Sequence, residues 1–379
     1  MRIGFDVRPF LKEETGIGIY FKNLLFHLAQ IDQFNEYYLF SSSFKDRFPV
    51  QRIPSFAKKQ FRDFRFPVKI MNFLWYKLSW PHLDSFFRTE LDLTHSPTPL
   101  ILPTKGKKIT TVYDLFFMDF PQMTDRETKR FFYRKTKRAL LEADGIVTIS
   151  QFTKNQMISK FSVEERKIRV IHPGVNYNFW SHMDSDELEE MRLKYNLPFS
   201  FILFVGSYEP RKNLLNLVEA LKIIHEKYQE IYLILVGRKG QDYQNVKERI
   251  GYSSLESWVK MVGYLPEREL RSLYQLASVF VFPSFHEGFG IPLLEAMASG
   301  LPIAASHAPA IPEIAQEAAL YFDPSIPEDM AEKIMTALED DHLRQNLIDK
   351  GKKRVLHFSW QRTSEQTLEF YHHIVREMS

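Results

Sequence analysis

At 379 residues the chain is long enough for two domains with full cores, and its 44% apolar content is that of a globular protein. It holds no cysteine, which removes disulfides, thiolate catalysis and cysteine-ligated zinc from consideration. The formal net charge of +3 hides an asymmetry: residues 1–175 carry 29 Lys and Arg against 18 Asp and Glu, so the first half is the one suited to an acidic partner.

In chain order, Arg2 to Val7 reads as a strand rather than a signal peptide, and no apolar run approaches the roughly 20 residues of a membrane-spanning helix. A cytoplasmic location is the expectation. Thr15-Gly16-Ile17-Gly18 then opens an amphipathic helix over Ile17 to Gln30. Phe21 stands where a dinucleotide fingerprint needs its third glycine, and the next strand, Tyr37 to Phe40, runs into serines rather than an acid. Both features argue against a nicotinamide enzyme. Between Phe44 and Arg88 basic residues are interleaved with Phe61, Phe64, Phe66, Phe73, Trp75, Tyr76 and Trp80. Such a mixture suits either an anionic membrane surface, bound peripherally, or a solvated basic rim over an ordinary aromatic core; nucleic acid is not expected as a partner.

Further strands are predicted at Leu93 to His95, Ile109 to Tyr113, Gly145 to Ser150 and Ile168 to His172, with Asp114 at the C-terminal edge of the second of these. A seam follows over residues 172–198, where Pro173-Gly174 breaks the chain and Ser185 to Lys194 reads as a connecting helix. Asp184-Ser185-Asp186 has the look of a metal-binding triplet, but a capped acidic helix start explains it better, and no metal is assigned. The second half repeats the alternation: strands at Phe201 to Val205, Ile231 to Val236, Val259 to Val262, Val279 to Phe282 and Pro302 to Ala305, with helices at Leu214 to Tyr228, Leu270 to Leu276 and Ile291 to Ser299. The pattern is α/β, doubly wound, occurring twice. A ligand is expected where strand C-termini border the seam.

Two junctions carry the chemistry. In Pro283-Ser284-Phe285-His286-Glu287-Gly288-Phe289-Gly290-Ile291-Pro292-Leu293-Leu294-Glu295, a strand stops at Pro283, a glycine turn follows, and Pro292 sits in the first turn of a helix. Helical side chains lean toward the N-terminus, so Glu295 is expected to point back toward the space that Glu287 borders. Two carboxylates there suit paired sugar or ribose hydroxyls, and the helix N-terminus suits a diphosphate. The second junction, Gly206-Ser207-Tyr208-Glu209-Pro210-Arg211-Lys212-Asn213, places two adjacent cations at a helix entry, where a bound anion accounts for them better than an exposed pair does.

These segments together resemble glycosyltransferase family 4, also called glycosyltransferase group 1, over nearly the whole chain. Residues 285–295 look like the family's Glu-x7-Glu motif, Gly206 to Asn213 like its Gly-x4-Arg-Lys-Asn segment, and Phe358-Ser359-Trp360 like the start of its C-terminal helix. The resemblance implies a GT-B fold: two Rossmann-like domains facing across a cleft, an acceptor-binding domain at 1–175 completed by helix 360–379, and a nucleotide-sugar-binding domain at 176–359. It implies a retaining, metal-independent hexosyltransferase that uses a nucleotide diphosphate sugar and a glycan or lipid-linked acceptor in cell-surface polysaccharide biosynthesis, with no cofactor. Glu287, Gly288, Phe289 and Gly290 would hold the donor sugar, Glu295 the ribose, and Arg211 and Lys212, with Gly206 beside them, the leaving diphosphate. Gly16 and Gly18 would keep the N-terminal loop close to the phosphate, and Asp114 would act near the reacting centre. Tyr113 stands where the family has a histidine, which bears on donor choice. The Asp6-Val7-Arg8-Pro9 and Thr15-Gly16-Ile17-Gly18 start is similar to that of bacterial mannosyltransferases, so GDP-mannose is the first donor expected. A GT-B sugar-nucleotide epimerase and a catalytically silent, membrane-docked sugar-nucleotide binder are the competing readings.

Overall fold

The computed structural model describes residues 1–10, 15–124 and 126–376. Chain contacts divide it into one unit of Met1–Gly174 with Trp360–Ser379, and a second of Val175–Ser359. In the first unit seven parallel strands are ordered β3-β2-β1-β4-β5-β6-β7. They are β1 (Arg2–Asp6), β2 (Glu36–Ser42), β3 (Lys59–Phe64), β4 (Leu93–Ser96), β5 (Lys107–Val112), β6 (Gly145–Thr148) and β7 (Ile168–Val170). In the second unit six parallel strands are ordered β10-β9-β8-β11-β12-β13. These are β8 (Phe201–Val205), β9 (Tyr232–Val236), β10 (Val259–Gly263), β11 (Val279–Phe282), β12 (Ile303–Ser306) and β13 (Ala319–Phe322). Both orders start as a doubly wound sheet does, and each reverses direction once, between β1 and β4 and between β8 and β11.

The central strands are continuous apolar runs because helices cover both faces. Phe201-Ile202-Leu203-Phe204 and Val279-Phe280-Val281-Phe282 are fully buried along their length. The C-terminal helix Trp360–Arg376 belongs to the first unit. It lies against β6 because Gly145 has no side chain there: a Cβ would come within 3.0 Å of Ile374 and Phe370. Buried His95 on β4 fixes the same helix, meeting the Tyr371 hydroxyl at 2.5 Å and Thr111 Oγ1 at 2.7 Å. Burial pushes this imidazole's pKa down to about 3, so it stays neutral.

The basic aromatic stretch differs from its sequence expectation, which assigned it no regular element. It contains β3 and the helix Val68–Leu78, whose Met71 and Trp75 are buried while Ile70 and Phe73 face solvent. Among the described residues, no helix is long and apolar enough to cross a membrane.

Candidate functional site

The second unit builds its site where β8 and β11, neighbours in the sheet, end. After β8 the Gly206 amide donates to Val236 O at 2.9 Å, extending the ladder rather than facing a ligand. Pro210–Lys212 then forms a single 3-10 turn, and Asn213 follows in the left-handed region at φ 58°. The Asn213 side-chain amide donates to Pro283 O at 3.0 Å and Pro324 O at 2.7 Å, while the Phe285 amide donates to Arg211 O at 2.8 Å. Three hydrogen bonds therefore register the Arg-Lys turn with its surroundings, two of them on the segment after β11.

That registration brings Arg211, Lys212 and Glu287 into contact. Lys212 Nζ donates to Glu287 Oε1 at 2.6 Å, and Arg211 Nη1 reaches Oε2 at 3.0 Å. Glu287 is 6% exposed. Burial alone would raise its pKa, but the charges of Arg211 and then Lys212 outweigh that, with hydrogen bonds from Lys212 and Ser284, and hold it at about 2. Arg211 Nη1 also meets His286 O at 3.3 Å, and Lys212 lies 5.1 Å from the centre of the Phe282 ring. Lys212 is buried, whereas Arg211 is the half-exposed member of the group.

Gly288 and Phe289 are buried, with Phe289 edge-on to Phe358 at 5.8 Å. Gly290 is the N-cap of the helix Ile291–Ala298 at φ +108°, a conformation that glycine alone adopts without strain. Glu295 stands one turn inside that helix. Its carboxylate accepts from the Tyr274 hydroxyl at 2.9 Å, a partner on the helix Glu267–Leu276 that sequence reasoning missed. Burial raises the Glu295 pKa to about 7, against the lowering effect of Tyr274 and with the charge of Glu267 adding to the rise. The two glutamates, both read from sequence as hydroxyl acceptors, differ in charge: one is a fixed anion held by cations, the other a carboxyl that titrates near neutrality.

The remaining candidates lie in the first unit. Thr15 caps the helix Gly16–Ile31 by accepting from the Gly18 amide at 3.1 Å, so Gly16 and Gly18 form its first turn. Asp114 follows β5, is half-buried, and accepts from the Phe116 amide at 3.1 Å. Tyr113 packs edge-on against Tyr20, with ring centres 5.4 Å apart. Both hydroxyls are buried without a hydrogen-bond partner, and burial holds both phenols well above their usual pKa. Sequence reasoning also missed a role for Asp6 and Arg8 just after β1. The guanidinium is buried and forked onto the carboxylate at 2.8 and 2.6 Å, and it stacks over Trp75 at 4.6 Å. Asp184, the first residue of the metal-like triplet, caps the helix Ser185–Lys194 by accepting from the Asp186 amide.

Comparison with known proteins bears on the same segments. A family profile described as glycosyl transferases group 1 matches residues 188–354, and one described as glycosyltransferase family 4 matches residues 15–179. The O-antigen chain mannosyltransferase B of Escherichia coli is 28% identical over 388 aligned positions, spanning 98% of this chain and 99% of its own. Among solved structures, sucrose-phosphate synthase from Thermosynechococcus elongatus superposes with a TM-score of 0.76 at 20% identity, over 98% of both chains. Anabaena HepE, solved in complex with UDP and glucose, superposes with a TM-score of 0.72 at 18% identity, over 98% of this chain and 99% of its own. With both profiles matched in succession and two parallel-sheet Rossmann-like units of the GT-B type, the chain belongs to the group 1, or family 4, glycosyltransferases.

Proposed function

We propose that this glycosyltransferase moves a hexose, with mannose from GDP-mannose as the first donor to test, onto a glycan or lipid-linked acceptor in surface polysaccharide synthesis, with retention at the anomeric carbon. The observation that carries the reading is the Arg211-Lys212-Glu287 cluster beside the Gly290 turn and its helix. The name of the Escherichia coli relative supports mannose and a polysaccharide, and the UDP and glucose in HepE support a nucleotide sugar donor.

In this reading the half-exposed Arg211 guanidinium forks to the donor's phosphate oxygens while buried Lys212 keeps Glu287 anionic. Glu287 then accepts hydrogen bonds from sugar hydroxyls, and ionised Glu295 accepts from the ribose. The bond between the anomeric carbon and the phosphate oxygen breaks as the acceptor oxygen bonds on the same face. The acceptor's proton passes to the leaving phosphate oxygen, whose negative charge the two cations stabilise without a metal. Asp114 orients the acceptor hydroxyl.

A panel of sugar nucleotides tests this by thermal shift, because a ligand of the folded state raises the melting temperature. GDP-mannose should give the largest rise, and Arg211→Ala should abolish it. With acceptor-bearing membranes, labelled mannose should enter the glycan fraction with one GDP released per sugar; nucleotide release without transfer, or no stabilisation by any sugar nucleotide, overturns the proposal.

A further inference from the structure

A pair of tyrosines joins the two candidate site segments of the first unit. Tyr20 lies two residues after Gly18 in the helix Gly16–Ile31, and Tyr113 stands between the end of β5 and Asp114. Their rings meet edge to face at 85° with centres 5.4 Å apart, and Tyr20 also meets Trp360 edge-on at 5.7 Å. The Tyr113 main chain is held separately. Its carbonyl accepts from Thr153 Oγ1 at 3.4 Å, and that oxygen accepts from Ser150 Oγ at 3.0 Å.

The two phenol hydroxyls take no part in this bonding. Among the described residues, the Tyr20 and Tyr113 oxygens are shielded from solvent and have no hydrogen-bond partner, not even each other. A buried hydroxyl left unpaired is costly, and ordered water is the usual partner where protein groups supply none. Tyr20 is only 1% exposed, so the occupant that fits is a single water enclosed on folding, not a sugar hydroxyl. Burial, joined for Tyr113 by the charge of Tyr20, holds both phenols well above their usual pKa, so each keeps an O–H to donate. Tyr371 supplies an acceptor close by. Its hydroxyl meets His95 Nδ1 at 2.5 Å and keeps a lone pair in either tautomer of the imidazole, and after burial it is the charge of Tyr20 that raises its pKa. Two donors and one acceptor give a water the roughly three bonds that such molecules make in protein interiors.

We propose that a buried water bridges the hydroxyls of Tyr20 and Tyr113 and makes these tyrosines positioning residues, fixing the Gly16–Gly18 turn relative to Asp114. Ring contact alone leaves the two elements free to slide, whereas hydrogen bonds fix both distance and direction. The kinetic half of this inference rests on Asp114 orienting the acceptor; the water does not.

A crystal structure of the full chain should show water density about 2.8 Å from both phenol oxygens. A direct bond between the two hydroxyls, or no density there, overturns the proposal. In urea unfolding, Tyr20→Phe and Tyr113→Phe should each raise the unfolding constant about tenfold, because the remaining hydroxyl loses its bridge. The double variant should cost no more than either single one, since both report the same bridge. Additive losses, or single variants as stable as wild type, count against it. With GDP-mannose and acceptor-bearing membranes, Tyr20→Phe should lower kcat per folded molecule about tenfold. Ser364→Ala, which loses a buried bond to Leu24 O in the same unit, should cost stability and leave kcat unchanged. Full kcat in Tyr20→Phe, or an equal loss in Ser364→Ala, overturns the positioning role. Density and unfolding need neither donor nor acceptor, so they decide the bridge even if the transfer reading fails.

Discussion

Glu287 and Glu295 show how one residue type is set to two tasks by its neighbours. With its pKa held at about 2, against a usual 4.5, Glu287 contributes stability that is fully present above pH 4.5 and lost as pH falls toward 2. Glu287→Gln leaves buried Lys212 without its counter-charge, so it should destabilise the protein by about 3 kcal/mol in urea unfolding at pH 7. The variant should also lose much of the wild type's acid-side decline. Glu295 titrates in the opposite sense: raised to about 7, it is neutral at pH 6 and ionised at pH 8. An ionised carboxylate is the better acceptor for ribose hydroxyls. Donor affinity, followed by calorimetry, should therefore strengthen as pH rises through about 7, and this step should vanish in Glu295→Gln.

The turn that carries Arg211 and Lys212 depends at the element scale on Asn213. Its left-handed backbone and its two side-chain hydrogen bonds join the end of β8 to the segments holding Pro283 and Pro324. Asn213→Ala loses those bonds and strains the backbone, at about 2–4 kcal/mol in urea unfolding. Asn213→Gly keeps the backbone relaxed and should cost less although it removes more atoms. Sequence exposes some elements better than others for a physical reason. Strands β8 and β11 are unbroken apolar runs bounded by Gly206 and Pro283, and both match their predicted ranges, Phe201–Val205 and Val279–Phe282. Strand β3 is Lys-Gln-Phe-Arg-Asp-Phe at the sheet edge, with no fully buried residue, so nothing in its pattern marks it. The helix Arg126–Glu142 went unpredicted because only Thr136, Ala139 and Leu140 are buried along it and cations dominate the rest.

For the molecule as a whole, the two-fold α/β architecture was legible because parallel strands buried on both faces announce themselves as apolar runs alternating with helices. The motif residues Glu287, Gly290, Glu295, Arg211 and Lys212 were legible from their spacing, but their partnerships were not. The Tyr274 contact to Glu295 comes from a separate helix, and Lys212 closes on Glu287 across 75 residues of sequence. A more distant partnership, Tyr371 with His95, has an implication for synthesis. The first unit starts at the N-terminus yet is finished by the helix Trp360–Arg376. During translation its first 174 residues leave the ribosome early with β6 and buried His95 lacking their cover. The second unit holds all of its own segments first, so the half of the protein made first completes its fold last.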